Sequence, residues 1–226
     1  MSIWIIFIGF MILSWIISMV LKSKVKKFSK IPVDNGMSGR DVAERMLHDN
    51  GIWDVRIESV PGHLTDHYNP ENKTINLSPD VYNGRNVAAA AVAAHECGHA
   101  VQHATAYAWL GFRSKMVPAV SFSSKWVQWI LLAGVLTVNT FPGLLFAGIV
   151  LFALTTIFSF VTLPVEINAS QRALAWLSNA GVTSYNNHDK AQEALKWAAY
   201  TYVVAALSSL ATLLYYIMIF MGGSRD

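Results

Sequence analysis

Apolar residues run almost unbroken through four stretches of the chain, and polar residues collect in the segments between them. Residues 3 to 21, IWIIFIGFMILSWIISMVL, carry no charge, and a helix of that length can cross the roughly 30 Å of hydrocarbon in a bilayer. Residues 117 to 163 hold two further runs on either side of NTFPG. Pro142 and Gly143 interrupt a helix there as a turn requires, so the region reads as a transmembrane hairpin, with Trp126 and Trp129 suited to a membrane interface beside Lys125. The fourth run, residues 197 to 220, ends at a polar tail, 221 to 226. The first run lacks a preceding basic stretch and is followed by lysines instead of a small-residue cleavage pattern, so a retained anchor is expected in place of a cleaved leader.

The polar segments have shorter periods. SGRDVAERMLHDNG predicts a short helix with Ser38 as N-cap, Asp41 completing a capping box and Gly51 beyond its end. WDVRIESV alternates as a strand does, and HLTDHYNPENKTINLS predicts a hairpin that turns at NPEN. Ser78 and Pro79 open another helical turn, and the alanine-rich stretch that follows predicts a long helix.

Composition strengthens the membrane reading, since 54% of residues are hydrophobic and only 14% charged. The formal charge of +3 does not point to nucleic acid, because Lys22, Lys24, Lys26, Lys27 and Lys30 sit directly behind the first apolar run. They read as juxtamembrane residues on the cytoplasmic side, attracted to anionic headgroups. Arg113 and Lys115 precede the second span, and Arg172, Lys190 and Lys196 lie between the third and fourth. The expected order is therefore an N-terminal span (1–21), a cytoplasmic part (22–116), the hairpin (117–163), a second cytoplasmic part (164–196), the last span (197–220) and the tail. The N-terminus and the hairpin turn lie outside, and Arg225 is the one basic residue against this orientation. A single cysteine, Cys97, rules out an intramolecular disulfide framework and reads as a packing residue.

The chemistry lies in AAAAVAAHECGHAVQHA, residues 88 to 104. Residues four apart on a helix are separated by about 400° of rotation and about 6 Å of rise, so His95 and His99 project from one face. Two imidazoles so placed can grip one zinc ion, and Glu96, turned from that edge, can act on a water there. A catalytic zinc typically takes three protein ligands. After Glu96 the chain has no Asp or Glu before Glu166, and the two spans of the hairpin return position 166 to the side of the membrane that holds the histidines. Glu166 is thus the leading third ligand, placed just after Pro164 near an expected helix start, where a carboxylate could alternatively serve the helix dipole. His103 continues the four-residue spacing but has drifted around the helix, and Thr105 and Gln102 stand where an extended three-histidine motif needs His and Gly.

These three segments, GHLTDHYNPENKTINLSPDVY, AAAAVAAHECGHAVQHA and FVTLPVEINASQRAL, resemble the YugP-type bacterial membrane zinc metallopeptidases over nearly the whole chain. The arrangement is similar to that of HtpX-type proteases and CAAX-prenyl endopeptidases, where a downstream helix carries Glu-x-x-x-Asp. The resemblance implies His95, His99 and Glu166 as ligands of one zinc per chain and Glu96 as catalytic base. Ser170 stands where those relatives have Asp, so the group that orients a ligand histidine is open, with Asn168 or a hairpin residue as alternatives.

The expected fold is an α-helical polytopic membrane protein of about four transmembrane helices with a small α+β zincin-like metallopeptidase domain on the cytoplasmic side. The expected function is a zinc metalloendopeptidase of the plasma membrane acting on membrane-associated protein or peptide substrates. His103, Arg172, Tyr185 and His188 are the polar residues suited to stabilising an oxyanion. Asp66, His67 and Asn76 are candidates for the substrate cleft, with substrate adding as a strand along TINLS. Two readings compete: a zinc-binding membrane scaffold without catalysis, and a structural helical protein in which the motif is accidental. Oligomeric state is not legible.

Overall fold

The computed structural model describes residues 3–223, so Arg225 and the end of the polar tail lie outside the described residues. The chain is mostly helical. In order it forms α1 (Ile3–Phe28), α2 (Gly39–Asp49), β1 (Arg56–Ser59), β2 (His67–Asn69), β3 (Thr74–Leu77), α3 (Pro79–Tyr82), α4 (Val87–Ala104), α5 (Ala108–Leu136), α6 (Pro142–Asn179) and α7 (His188–Gly223). Four of these helices, α1, α5, α6 and α7, are long and apolar enough to cross a membrane.

The helices divide into two compact units. One comprises α1 through Ile16, Gly111–Leu163 and the chain from Thr201. In it Val127 and Leu131 of α5 pack on Leu145 and Ile149 of α6, and Tyr216 and Phe220 of α7 join that cluster. The other comprises Ile17–Leu110 and Pro164–Tyr200, and it contains the small sheet and the His-Glu-x-x-His segment.

Local chemistry sets the ends of the elements in this second unit. The Ser38 side chain accepts from the Asp41 N–H while the Asp41 carboxylate accepts from the Ser38 N–H, which is the capping box expected of that segment. These bonds hold the Asp41 carboxyl below its ordinary pKa, first through the Ser38 backbone and then through its hydroxyl. Gly51 and Gly181 have φ of +69° and +65° and end α2 and α6 in the same way. In each the glycine N–H and the next N–H, of Ile52 and Val182, return to carbonyls of the last helical turn.

The sheet order is β1-β3-β2, with β1 parallel and β2 antiparallel to β3. TINLS therefore supplies the central strand, and all four residues of β3 are buried. This corrects the expectation that substrate adds along TINLS, because both edges of β3 already bond to neighbours. The edge strands are β1 and β2.

Helix α6 brings a second correction. Glu166 does not sit near a helix start, because α6 runs unbroken for 38 residues with Pro164 inside it. Proline fixes φ near the helical value and removes only one backbone donor, which a long packed helix tolerates. Its carboxylate therefore lies too far along the helix to serve the N-terminal dipole, whose effect is confined to the first turn.

Candidate metal centre

Helix α4 is the floor on which the centre is built. Asn86 caps it by accepting from the Ala89 N–H. From Val87 to Gln102 every residue is buried except Val92 and His95, which are partly exposed. A helix enclosed on nearly all sides needs small residues where another helix comes close. Gly98 marks that place, since a Cβ added there would lie 2.5 Å from the Ala169 carbonyl oxygen of α6. The point of approach on α6, Ala169, lies about one turn from Glu166.

His95, His99 and Glu166 converge there. Their ligand atoms all lie within 4.8 Å of one another, and the imidazole rings stand nearly perpendicular at 84°. His95 Nε2 is 3.3 Å and His99 Nε2 3.5 Å from Glu166 Oε2. Ligand atoms on a tetrahedral zinc, each about 2.0–2.1 Å from it, are about 3.3 Å apart, so the two histidine-to-carboxylate distances and the donor set fit the ion. Burial of His99 would by itself depress its pKa, but the hydrogen bond to Glu166 and the nearby charges of Glu96 and Glu166 outweigh it and raise the value.

The other nitrogen of each imidazole faces protein. His95 Nδ1 lies 3.1 Å from Ser170 Oγ, so Ser170 faces this ligand histidine. His99 Nδ1 lies 3.1 Å from Gln102 Oε1. Because an amide oxygen only accepts, Nδ1–H donates to it, and loss of the Nε2 proton on metal binding would leave Nε2 as the ligand atom. Gln102, 0% exposed, in turn donates to the Val165 carbonyl at 2.8 Å and to Asn168 Oδ1 at 3.0 Å. Asn168 Oδ1 also accepts from Arg172 Nε at 2.8 Å.

Glu96 sits beside this group with one carboxylate oxygen fixed. The Tyr68 N–H of edge strand β2 donates to Glu96 Oε2 at 2.9 Å. The Tyr68 hydroxyl lies 2.8 Å from His103 Nδ1, and burial raises the phenol's pKa so that it keeps its proton. Cys97 is fully buried against α2, its thiol pushed well up by burial, which suits packing and not nucleophilic chemistry.

The remaining residues singled out from sequence are dispersed. His67 bonds to the Thr65 carbonyl and to Asn76, and Asp66 accepts from the Ser78 N–H and hydroxyl at the entry to α3. The Arg172 guanidinium lies over the Tyr107 ring. Tyr185 is 99% exposed, and His188 bonds to Thr183 in the turn before α7. None of these five is bonded directly to His95, His99 or Glu166 among the described residues. Two residues that hold the centre escaped the sequence reading, Gln102 and Tyr68. The i, i+3 spacing of His99 and Gln102 was the available signal, whereas Tyr68 acts through its backbone and leaves none.

Two imidazoles from one helix, each with an orienting partner, and a carboxylate from another are positioned to hold a metal ion, as in a membrane protein of the zinc-metallopeptidase class. The chain belongs to the family described as putative neutral zinc metallopeptidase, whose model matches residues 3–221. It is 42% identical over 206 residues to the putative membrane protease YugP of Bacillus subtilis (strain 168), covering 91% of this chain and 90% of that protein. No solved structure matches it.

Proposed function

We propose that the chain is a membrane-embedded zinc metalloendopeptidase that hydrolyses peptide bonds of membrane or membrane-proximal proteins. The observation that carries this reading is the convergence of both Nε2 atoms on Glu166 Oε2, with each Nδ1 turned to Ser170 or Gln102. His95, His99 and Glu166 hold one zinc per chain. When bound, the ion supplies Lewis acidity toward the scissile carbonyl and toward water.

Glu96 is the general base. Tyr68 fixes one of its oxygens, and the other takes the proton from the attacking water and delivers it to the leaving amine. The lysines behind the first apolar run support a cytoplasmic site in the bacterial plasma membrane, with the N-terminus outside.

The test is Glu96→Gln in the purified full chain. The variant should keep its zinc and lose cleavage of an unfolded protein substrate by at least about a hundredfold, in the range expected for removal of a general base. Cleavage at the wild-type rate would remove Glu96 from this role, and zinc binding without cleavage by the wild type would favour the scaffold reading.

A further inference from the structure

A cleft of about 500 Å³ lies within the second unit, outside the metal centre. Its walls include Lys22 and Lys26 from the polar end of α1, over an apolar lining of Val25, Ala88 and Val92. The two lysines are four apart and share a helix face. Lys24 is tied to Glu193 at 2.7 Å, but no ion pair engages Lys22 or Lys26 among the described residues. The one acidic group on the lip, Asp80, lies 3.2 Å from His63.

Helix α4 contributes residues both to the cleft and to the metal centre. Positions 88, 92, 95 and 99 fall on one helical face, and Val92 and His95 are the only residues of α4 between Val87 and Gln102 that are not buried. Val92 lines the cleft, and His95 belongs to the metal group. From His95 to Ala88 is about 10 Å of helix, the length of about three residues of extended peptide.

Resting on the peptidase reading, we infer that this cleft is a substrate subsite that takes an acidic side chain on an apolar peptide segment, two to four residues from the scissile bond. The apolar lining holds the segment, and the Lys22 and Lys26 ammonium groups select the carboxylate. A peptide fits better than a lipid headgroup because Val92 of the cleft lies one helical turn from His95 of the metal group on the same face of α4, and both are partly exposed.

The experiment uses the zinc-loaded full chain in phosphatidylcholine vesicles and a library of random soluble peptides, with products identified by mass spectrometry. Wild type should enrich Asp and Glu two to four residues from the cut, on one side only. Lys22→Glu with Lys26→Glu should reverse the preference toward Lys and Arg, by about fivefold to tenfold in relative kcat/KM for two partly solvated charges. Unchanged zinc content would show that the variant is folded, and Lys27→Glu, outside the cleft, should leave the profile alone. Absence of an acidic preference, or a preference that survives charge reversal, would overturn the subsite. So would an effect seen only when phosphatidylglycerol is added, which would assign the lysines to lipid. If the zinc-loaded wild type cleaves nothing, the peptidase reading itself fails and the subsite falls with it.

Discussion

A buried glutamine without partners would cost several kcal/mol, roughly 2 to 7 depending on the reference state. Gln102 avoids that cost by spending all its polar capacity between the two helices that carry the ligands. Its oxygen faces His99, and its amide nitrogen serves both Val165 and Asn168. It therefore sets the tautomer of one ligand and the register of the helix that holds another. Gln102→Met keeps the volume and removes these bonds. The variant should lose about tenfold to a hundredfold in zinc affinity, measured by competition with a chelator, as partners of ligand histidines typically contribute. Gln102→Glu keeps an acceptor toward His99 but sets a second oxygen against the Val165 carbonyl and Asn168 Oδ1, and should recover little of the loss. Equal zinc affinity in wild type and Gln102→Met would show that Gln102 serves packing alone. At this scale the histidines and Glu166 were legible because covalent spacing and the scarcity of carboxylates singled them out. Ser170 stood out only as a departure from the resembled pattern, and its hydroxyl lies 3.1 Å from His95 Nδ1.

At the scale of elements, the centre depends on how closely α6 passes over α4. Gly98 permits that approach, and nothing wider fits, since the Ala169 carbonyl would meet an added methyl at 2.5 Å. Gly98→Ala should push the helices apart by at least about half an ångström and destabilise the unit by about 1–3 kcal/mol, as overpacking does. Zinc affinity should fall as well, because Glu166 lies one turn from the contact. A thermal melt paired with zinc titration checks both, and an unchanged melt would mean the helices can separate without cost. Capping signals made α2 legible, and alternation with turn residues made the hairpin legible. The sheet order was not, because β1 pairs parallel to β3 across an intervening strand and no local pattern encodes that partner. Nor was the length of α6, since proline reads locally as a breaker while the packing of a long helix overrides it.

For the whole molecule, hydropathy alone sufficed to place four helices long enough to span a membrane, because a bilayer demands a length of apolar sequence that few soluble helices show. Which side each loop occupies rests on the distribution of lysines and arginines. Glu71, in the β2–β3 turn, and Thr140, in the α5–α6 turn, are both exposed, whereas the native Cys97 is buried. A membrane-impermeant maleimide applied to intact cells should label Thr140→Cys and spare Glu71→Cys until the cells are opened. The reverse pattern would put the metal centre on the outer face.

Everything proposed for the site depends on Glu166 completing a zinc site with His95 and His99. The most direct test is the zinc affinity of the purified chain beside that of Glu166→Ala, with bound metal counted by mass spectrometry. The wild-type chain should bind about one zinc, and the variant should bind it more than about a hundredfold more weakly, because a ligand and its charge are lost together. Equal affinity in the two proteins would contradict it.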